Sequence, residues 1–166
     1  SSTSAFTPIP NITSPNIVPS HSMDFCHHTF IYVNNTDLYA NGHNHCGQFG
    51  NPDMYPNDSP HILSLIPSFY HGTIVSIVCT YYNSYFLTNT NKLYSAGKKH
   101  YVRNIPRLIK ENIKKIDGGR AYMLMVDVND SLIIEGDEKG YAAYFKKWRI
   151  KIKGIFAGFE HAAVTT

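Results

Sequence analysis

A chain of 166 residues, 43% hydrophobic and 16% charged, is long enough to bury one domain core and apolar enough for most of it to fold. No apolar run approaches the roughly 20 residues of a helical membrane span, no signal-peptide pattern opens the sequence, and the three scattered cysteines Cys26, Cys46 and Cys79 make no disulfide framework. An intracellular protein of the cytoplasm or nucleus is the expectation, with no membrane partner.

The net charge of +3 hides a sharp division. Residues 1–91 contain no Lys or Arg, whereas residues 92–166 carry all 15 of them. Such asymmetry points to an acidic partner or to nucleic acid.

Residues 1–20, with Pro8, Pro10, Pro15 and Pro19 among Ser and Asn, read as an extended or disordered lead-in. From 21 to 166 the pattern is β. A first hairpin joins residues 31–33 to 37–40 across Asn34 and Asn35. Residues 52–69 follow as a surface loop insertion. Residues 74–79 form a strand ahead of a second hairpin, 85–88 with 92–96, which turns at 89–91. A third strand at 113–119 leads into 122–126 and 131–135, turning at 128–130, and residues 152–158 repeat that lead strand. Extended pieces (PHILSLI, PRLI and WRIKI) lie between the units, and no amphipathic helix interrupts them.

The hairpins are copies of one another. FCHHTFIYVNNTDLYANG (25–42) is echoed by TYYNSYFLTNTNKLYSAG (80–97), by GRAYMLMVDVNDSLIIEG (119–136) and by the opening of a fourth copy, AGFEHAAVTT. The interval to the closing glycine is the same in each complete copy: 25 to 42, 80 to 97 and 119 to 136. A fixed internal interval with variable spacing outside it marks one supersecondary unit joined by loops, as in propellers and solenoids. The sequence starts at Ser1 and stops inside the fourth copy, so it reads as a fragment of a longer array.

The lead I-x-x-I-x-x-G, the strand ending L-Y-x-x-G and the following G-Q-x-G together resemble the repeat of the regulator of chromosome condensation family. The fullest match is DLYANGHNHCGQFGNP, residues 37–52. The resemblance implies an all-β partial β-propeller built from about three to four units of antiparallel strands. Its structural positions here are Gly42, Asn44, Gly47, Gln48 and Gly50 in the first unit, the later glycines Gly97, Gly119, Gly136 and Gly158, and the histidines His28 and His161. The loop glycines permit positive φ where the strand leaves the blade. Asn44 and Gln48 can bond loop backbone groups that no ladder reaches. The chain departs from the family where Asn41, Ala96 and Glu135 replace its tryptophan, and where Asn83 and Tyr122 hold the histidine position.

No G-x-S-x-G, P-loop, H-E-x-x-H or paired-carboxylate motif is present, so neither an enzyme nor a cofactor is expected. Cys26, His27 and His28 with His43, His45 and Cys46 have the side chains of a zinc site. They lack C-x-x-C spacing, however, and neighbours such as His27 and His28 alternate across a strand. A structural histidine set is preferred, with no metal. Asp117 reads as a turn residue. Two basic stretches occupy matching parts of successive units, and Lys98, Lys99, Arg103, Lys146, Lys147 and Arg149 are the partner-binding candidates, weighed against a merely solvated surface. The expected function is a non-enzymatic protein-interaction module of the family's repeat type, binding through propeller loops. The alternatives are a guanine-nucleotide exchange factor for a Ran-like small GTPase, which the resemblance suggests, and chromatin or nucleic-acid binding through the basic half.

Overall fold

A computed structural model describes residues 17–22, 28–51, 64–66, 68–98, 105–136, 147 and 149–166. Its strands fall into four successive blades. The first holds β1 (Ile17–Ser22), β2 (His28–Val33), β3 (Asp37–Gly42) and β4 (Ser64–Ile66). The second holds β5 (Ile74–Cys79), β6 (Asn83–Thr88), β7 (Lys92–Gly97) and β8 (Arg107–Glu111). β9 (Ile113–Gly118), β10 (Met123–Asp127) and β11 (Leu132–Glu135) make the third, and β12 (Gly154–Ala157) with β13 (Ala162–Thr165) begins the fourth. Within every blade, consecutive strands pair antiparallel. The lead strands β1 and β5 also touch in parallel, Ser20 opposite Ile77 and Ser22 opposite Cys79, which joins the first two blades into one curled sheet.

Local chemistry explains the meander. Asn34 and Asn35 have φ of 55° and 57°, positive values that asparagine tolerates, in the turn between the paired Val33 and Asp37. In the next two hairpins the positive φ falls later in the turn and on a single residue, Asn91 at 60° and Asp130 at 67°. The hairpins turn where the sequence places them.

Packing follows from strand periodicity, in which alternate side chains point to opposite faces. Every residue of β6 is buried, because both faces of the second blade are covered. Phe86 enters a core shared with Phe30, Phe49 and Ile66 of the first blade, while Tyr85 and Leu87 pack on Ile116, Met123 and Met125 of the third. β10 repeats the arrangement one blade later: Met123 and Met125 face backwards, and Leu124 and Val126 face Ile152, Ile155 and Ala157 of the fourth blade. The apolar run YMLMV is therefore a strand covered on both sides.

Two boundaries shift. β1 begins at Ile17, inside the stretch read as lead-in through residue 20; residues before it lie outside the described ones. The insertion read over 52–69 ends in ordered structure. Ser64–Ile66 is the outer strand of the first blade, and the ring of Phe69 stands edge-on to Phe86 and Tyr94, with centroids 5.0 and 6.0 Å away. Three apolar rings gain more by burial than the loop loses in freedom. Residues 52–63 lie outside the described residues.

Asp117, read as a turn residue, is instead a buried link between blades. One carboxylate oxygen accepts the Gly118 amide at 2.9 Å, and the other accepts the Ala157 amide of β12 at 2.7 Å. Replacing Asp117 with alanine should lower the unfolding free energy by about 3 kcal/mol, since charge-assisted bonds are lost and buried amides left unpaired. Asp117→Asn, which keeps one acceptor oxygen, should lose less. Urea unfolding followed by circular dichroism measures both; an unchanged midpoint for the alanine variant refutes the link.

Candidate functional site

The turns between the first and second strands of the second, third and fourth blades are equivalent by sequence offset. Each closes by the same backbone bond: Thr80 N–H to the Asn83 carbonyl, Gly119 to Tyr122, and Gly158 to His161, at 2.9, 3.1 and 2.7 Å. Further bonds step from blade to blade. The Tyr81 amide donates to the Arg120 carbonyl at 3.2 Å, and the Arg120 amide to the Phe159 carbonyl at 3.1 Å. Gly119 is required at this seam, because a Cβ there would lie 2.2 Å from the Tyr122 ring and 2.4 Å from the Gly158 carbonyl oxygen.

This ladder sets Tyr81, Arg120 and Phe159 in a row. The Arg120 guanidinium sits 5.9 Å from the Tyr81 ring centre and 5.2 Å from that of Phe159, with the Glu160 carboxylate at 3.7 Å. Beside it, the Lys98 ammonium lies 4.7 Å over the ring of Tyr82. Between the second and third blades the same residues border a hollow of about 370 Å³, lined by Tyr82, Asn83, Tyr85, Lys98, Arg120 and Met123. Burial, and then the charge of Glu135, hold the Tyr85 hydroxyl far above its ordinary pKa, so it stays neutral there. Cations resting on rings, with the Glu160 carboxylate nearby and Glu135 also lining the hollow, suit recognition of a polar protein surface.

The first unit's G-Q-x-G loop, residues 43–51, is an anchor. Asn44 accepts the Phe49 amide and Gln48 accepts the Cys46 amide, each at 2.9 Å through the side-chain oxygen. Ser84 of the second blade donates to the Gln48 carbonyl at 2.8 Å. The buried His28 therefore donates from Nε2 to Ser84 Oγ at 2.9 Å. Gly50, at φ 65°, packs so closely that a Cβ would stand 2.3 Å from Pro106 of the second blade. The loop glycines Gly42 and Gly47 and the closing glycines Gly97 and Gly136 also have positive φ.

Of the sulfur and imidazole groups weighed for metal, Cys26 and His27 lie outside the described residues. His43 and His45 are exposed, with ring centres 5.6 Å apart, and burial pushes the Cys46 thiol up against a smaller opposing effect of Lys98.

Among the six basic candidates, Lys99, Arg103 and Lys146 lie outside the described residues, and Lys147 is exposed. Lys98 stands at the inner-turn end, where its amide bonds to the Tyr82 carbonyl at 3.2 Å. Arg149 comes three residues before Ile152, whose amide bonds to the Asp130 carbonyl of a hairpin turn at the other end. Lys98 and Arg149 are thus not brought together. Sequence reasoning missed Tyr81, Tyr82, Arg120 and Phe159. For Tyr81, Arg120 and Phe159 the signal was the common offset after Thr80, Gly119 and Gly158, which is legible only once the repeat register is applied to side chains that differ in type.

No family description and no curated protein matches this sequence. Solved structures do match. Human WBSCR16 aligns with a TM-score of 0.64 and 17% identity over 83% of this chain and 42% of its own. Prp20p from Saccharomyces cerevisiae, solved with its binding properties to Gsp1p and histones, aligns at a TM-score of 0.57 and 18% identity, over 65% of this chain and 31% of that one. The same yeast RCC1 (Prp20), in the structure of Kap60 bound to it, gives 0.58 and 17%, over 72% and 31%. At such identities the likeness is one of fold. The chain has an RCC1-like β-propeller fold and spans less than half the length of the structures it matches. No helix among the described residues is long and apolar enough to cross a membrane.

Proposed function

We propose that this partial propeller, of the fold seen in WBSCR16 and Prp20p, is a non-enzymatic module that binds a partner protein through its inner-turn face. The observation that carries the reading is the row Tyr81, Arg120 and Phe159 on its interblade ladder, with Tyr82 and Lys98 alongside. Tyrosine and arginine are the side chains that dominate protein interfaces. A frame tied by backbone bonds loses little freedom when they engage. The partners named for Prp20p, Gsp1p and histones, are proteins, as is Kap60, which supports the same kind of use here.

The test compares the tagged intact protein with a Tyr82→Ala, Arg120→Ala variant in affinity isolation from its own cells, after circular dichroism has shown that both fold. Proteins bound through this face should fall at least about tenfold in yield, the equivalent of roughly 1.4 kcal/mol. Identical recovery from both would exclude the face.

Nucleotide exchange on a Ran-like small GTPase is the second reading, favoured by the binding of Gsp1p by Prp20p. Exchange by loop insertion uses no catalytic side chain, so it fits a site without one. Release of a fluorescent guanine nucleotide from such a GTPase should accelerate in the presence of the protein; an unchanged rate removes this reading and leaves the first intact.

A further inference from the structure

The lead strands present a second surface, remote in function from the inner turns. Their I-x-x-I motif buries Ile74 and Ile77, Ile113 and Ile116, and Ile152 and Ile155. The intervening pairs are Val75–Ser76, Lys114–Lys115 and Lys153–Gly154. All of these except Lys153 line one open hollow of about 500 Å³, together with Phe156. Phe156 is 59% exposed and Val75 is 48% exposed, which places bare apolar surface directly beside ammonium groups.

Positive charge converges there. Lys114 bonds to the Asp130 carboxylate, Lys151 to the Asn129 carbonyl and Lys115 to the Lys153 carbonyl. Lys114 first, then Lys151 and Lys115 through their charges, hold the Asp130 carboxyl below its usual range. The neighbouring carboxylate, Asp127, is occupied by its own turn, accepting the amides of Asn129 and Ser131 at 2.8 Å each. The one carboxylate of Asp130 thus faces several ammoniums. Each ammonium has three donors, so donors remain for an added anion.

We propose that this hollow binds single-stranded nucleic acid, with Lys114, Lys115, Lys151 and Lys153 on the phosphates and one base stacked on Phe156. A cationic rim beside an exposed ring is the arrangement by which proteins hold single strands. A concave site of this size admits one unstacked nucleotide and not a duplex. The lysines carry no planar donor fork with which to read base edges, so binding is indifferent to sequence and strongly dependent on salt.

Fluorescence anisotropy with a labelled ten-residue oligothymidylate tests the proposal on the intact chain, with the matching duplex and a polyglutamate peptide as comparators. The single strand should bind more tightly than either. Phe156→Ala should weaken it about fivefold or more, the lower end of a single stacking contact, while Phe156→Tyr, which keeps a ring, should retain affinity. Lys115→Ala with Lys153→Ala should flatten the slope of log affinity against log salt by about 1.4, two phosphates at about 0.7 each. Equal or tighter binding of polyglutamate would reassign the hollow to an acidic protein segment and overturn the proposal. No binding of the single strand, or no response to Phe156→Ala in a folded variant, would also overturn it. None of these residues belongs to the inner-turn face, so the result is independent of the protein-binding reading.

Discussion

Phe86→Ala is expected to lower the unfolding free energy by about 3–5 kcal/mol, the cost of a cavity that a packed core cannot close. Phe86 is fully buried in the middle of β6, its ring edge-on to Phe30 and to Phe69 with centroids 5.0 Å from each. It meets residues of the first blade on one side while its neighbours Tyr85 and Leu87 hold the third blade on the other. Removing it unclamps the first two blades and frees Phe69, whose place in the core depends on that ring. Urea unfolding monitored by circular dichroism reads the loss. A change below about 1 kcal/mol would show that the seam between these blades contributes little.

Gly97→Ala should be comparably damaging for a different reason. Gly97 has φ of 123°, and a Cβ there would lie 2.1 Å from the Tyr82 carbonyl oxygen and 2.8 Å from the Asn83 Cα. Both obstacles are backbone and cannot swing aside. The backbone strain alone is worth about 1–3 kcal/mol, and relief of the clash must pull β7 from the Tyr82 turn. That movement breaks the Lys98 amide bond to the Tyr82 carbonyl and lifts Lys98 from its ring, so partner binding should fall along with stability. Gly72 is the control. It also has positive φ, 97°, but its nearest obstacle is the Asn89 side chain at 2.6 Å, so Gly72→Ala should lose much less. Thermal melting of the two variants side by side decides the matter, and equal melting temperatures would refute the steric account.

Much of this architecture was written in local sequence. The turns at Asn34–Asn35, Asn91 and Asp130 are determined by residues that accept positive φ, and the closing glycines Gly42, Gly97 and Gly136 by the same constraint, which acts within a few residues of each. The constant interval between these signals marks the blade as the repeating unit, and the I-x-x-I spacing marks its lead strand. The anchoring roles of Asn44 and Gln48 follow likewise, because their partners Phe49 and Cys46 lie five and two residues away.

What the sequence could not show is what meets across blades. Asp117 bonds to an amide 40 residues distant, and nothing in IDGG distinguishes a turn aspartate from one that clips two blades. Phe69 sits at the end of a polar stretch, and only the fold brings Phe86 and Tyr94 to it. The row Tyr81, Arg120 and Phe159 shares a position but no side-chain type, and Lys98 and Arg149 share a charge but not an end of the structure. By itself the sequence determined the blade, because turns and strand periodicity are properties of neighbouring residues. Only the tertiary structure decided the sites, because a site in a propeller is made where equivalent positions of successive blades are stacked, and the chain between them leaves no local trace of that contact.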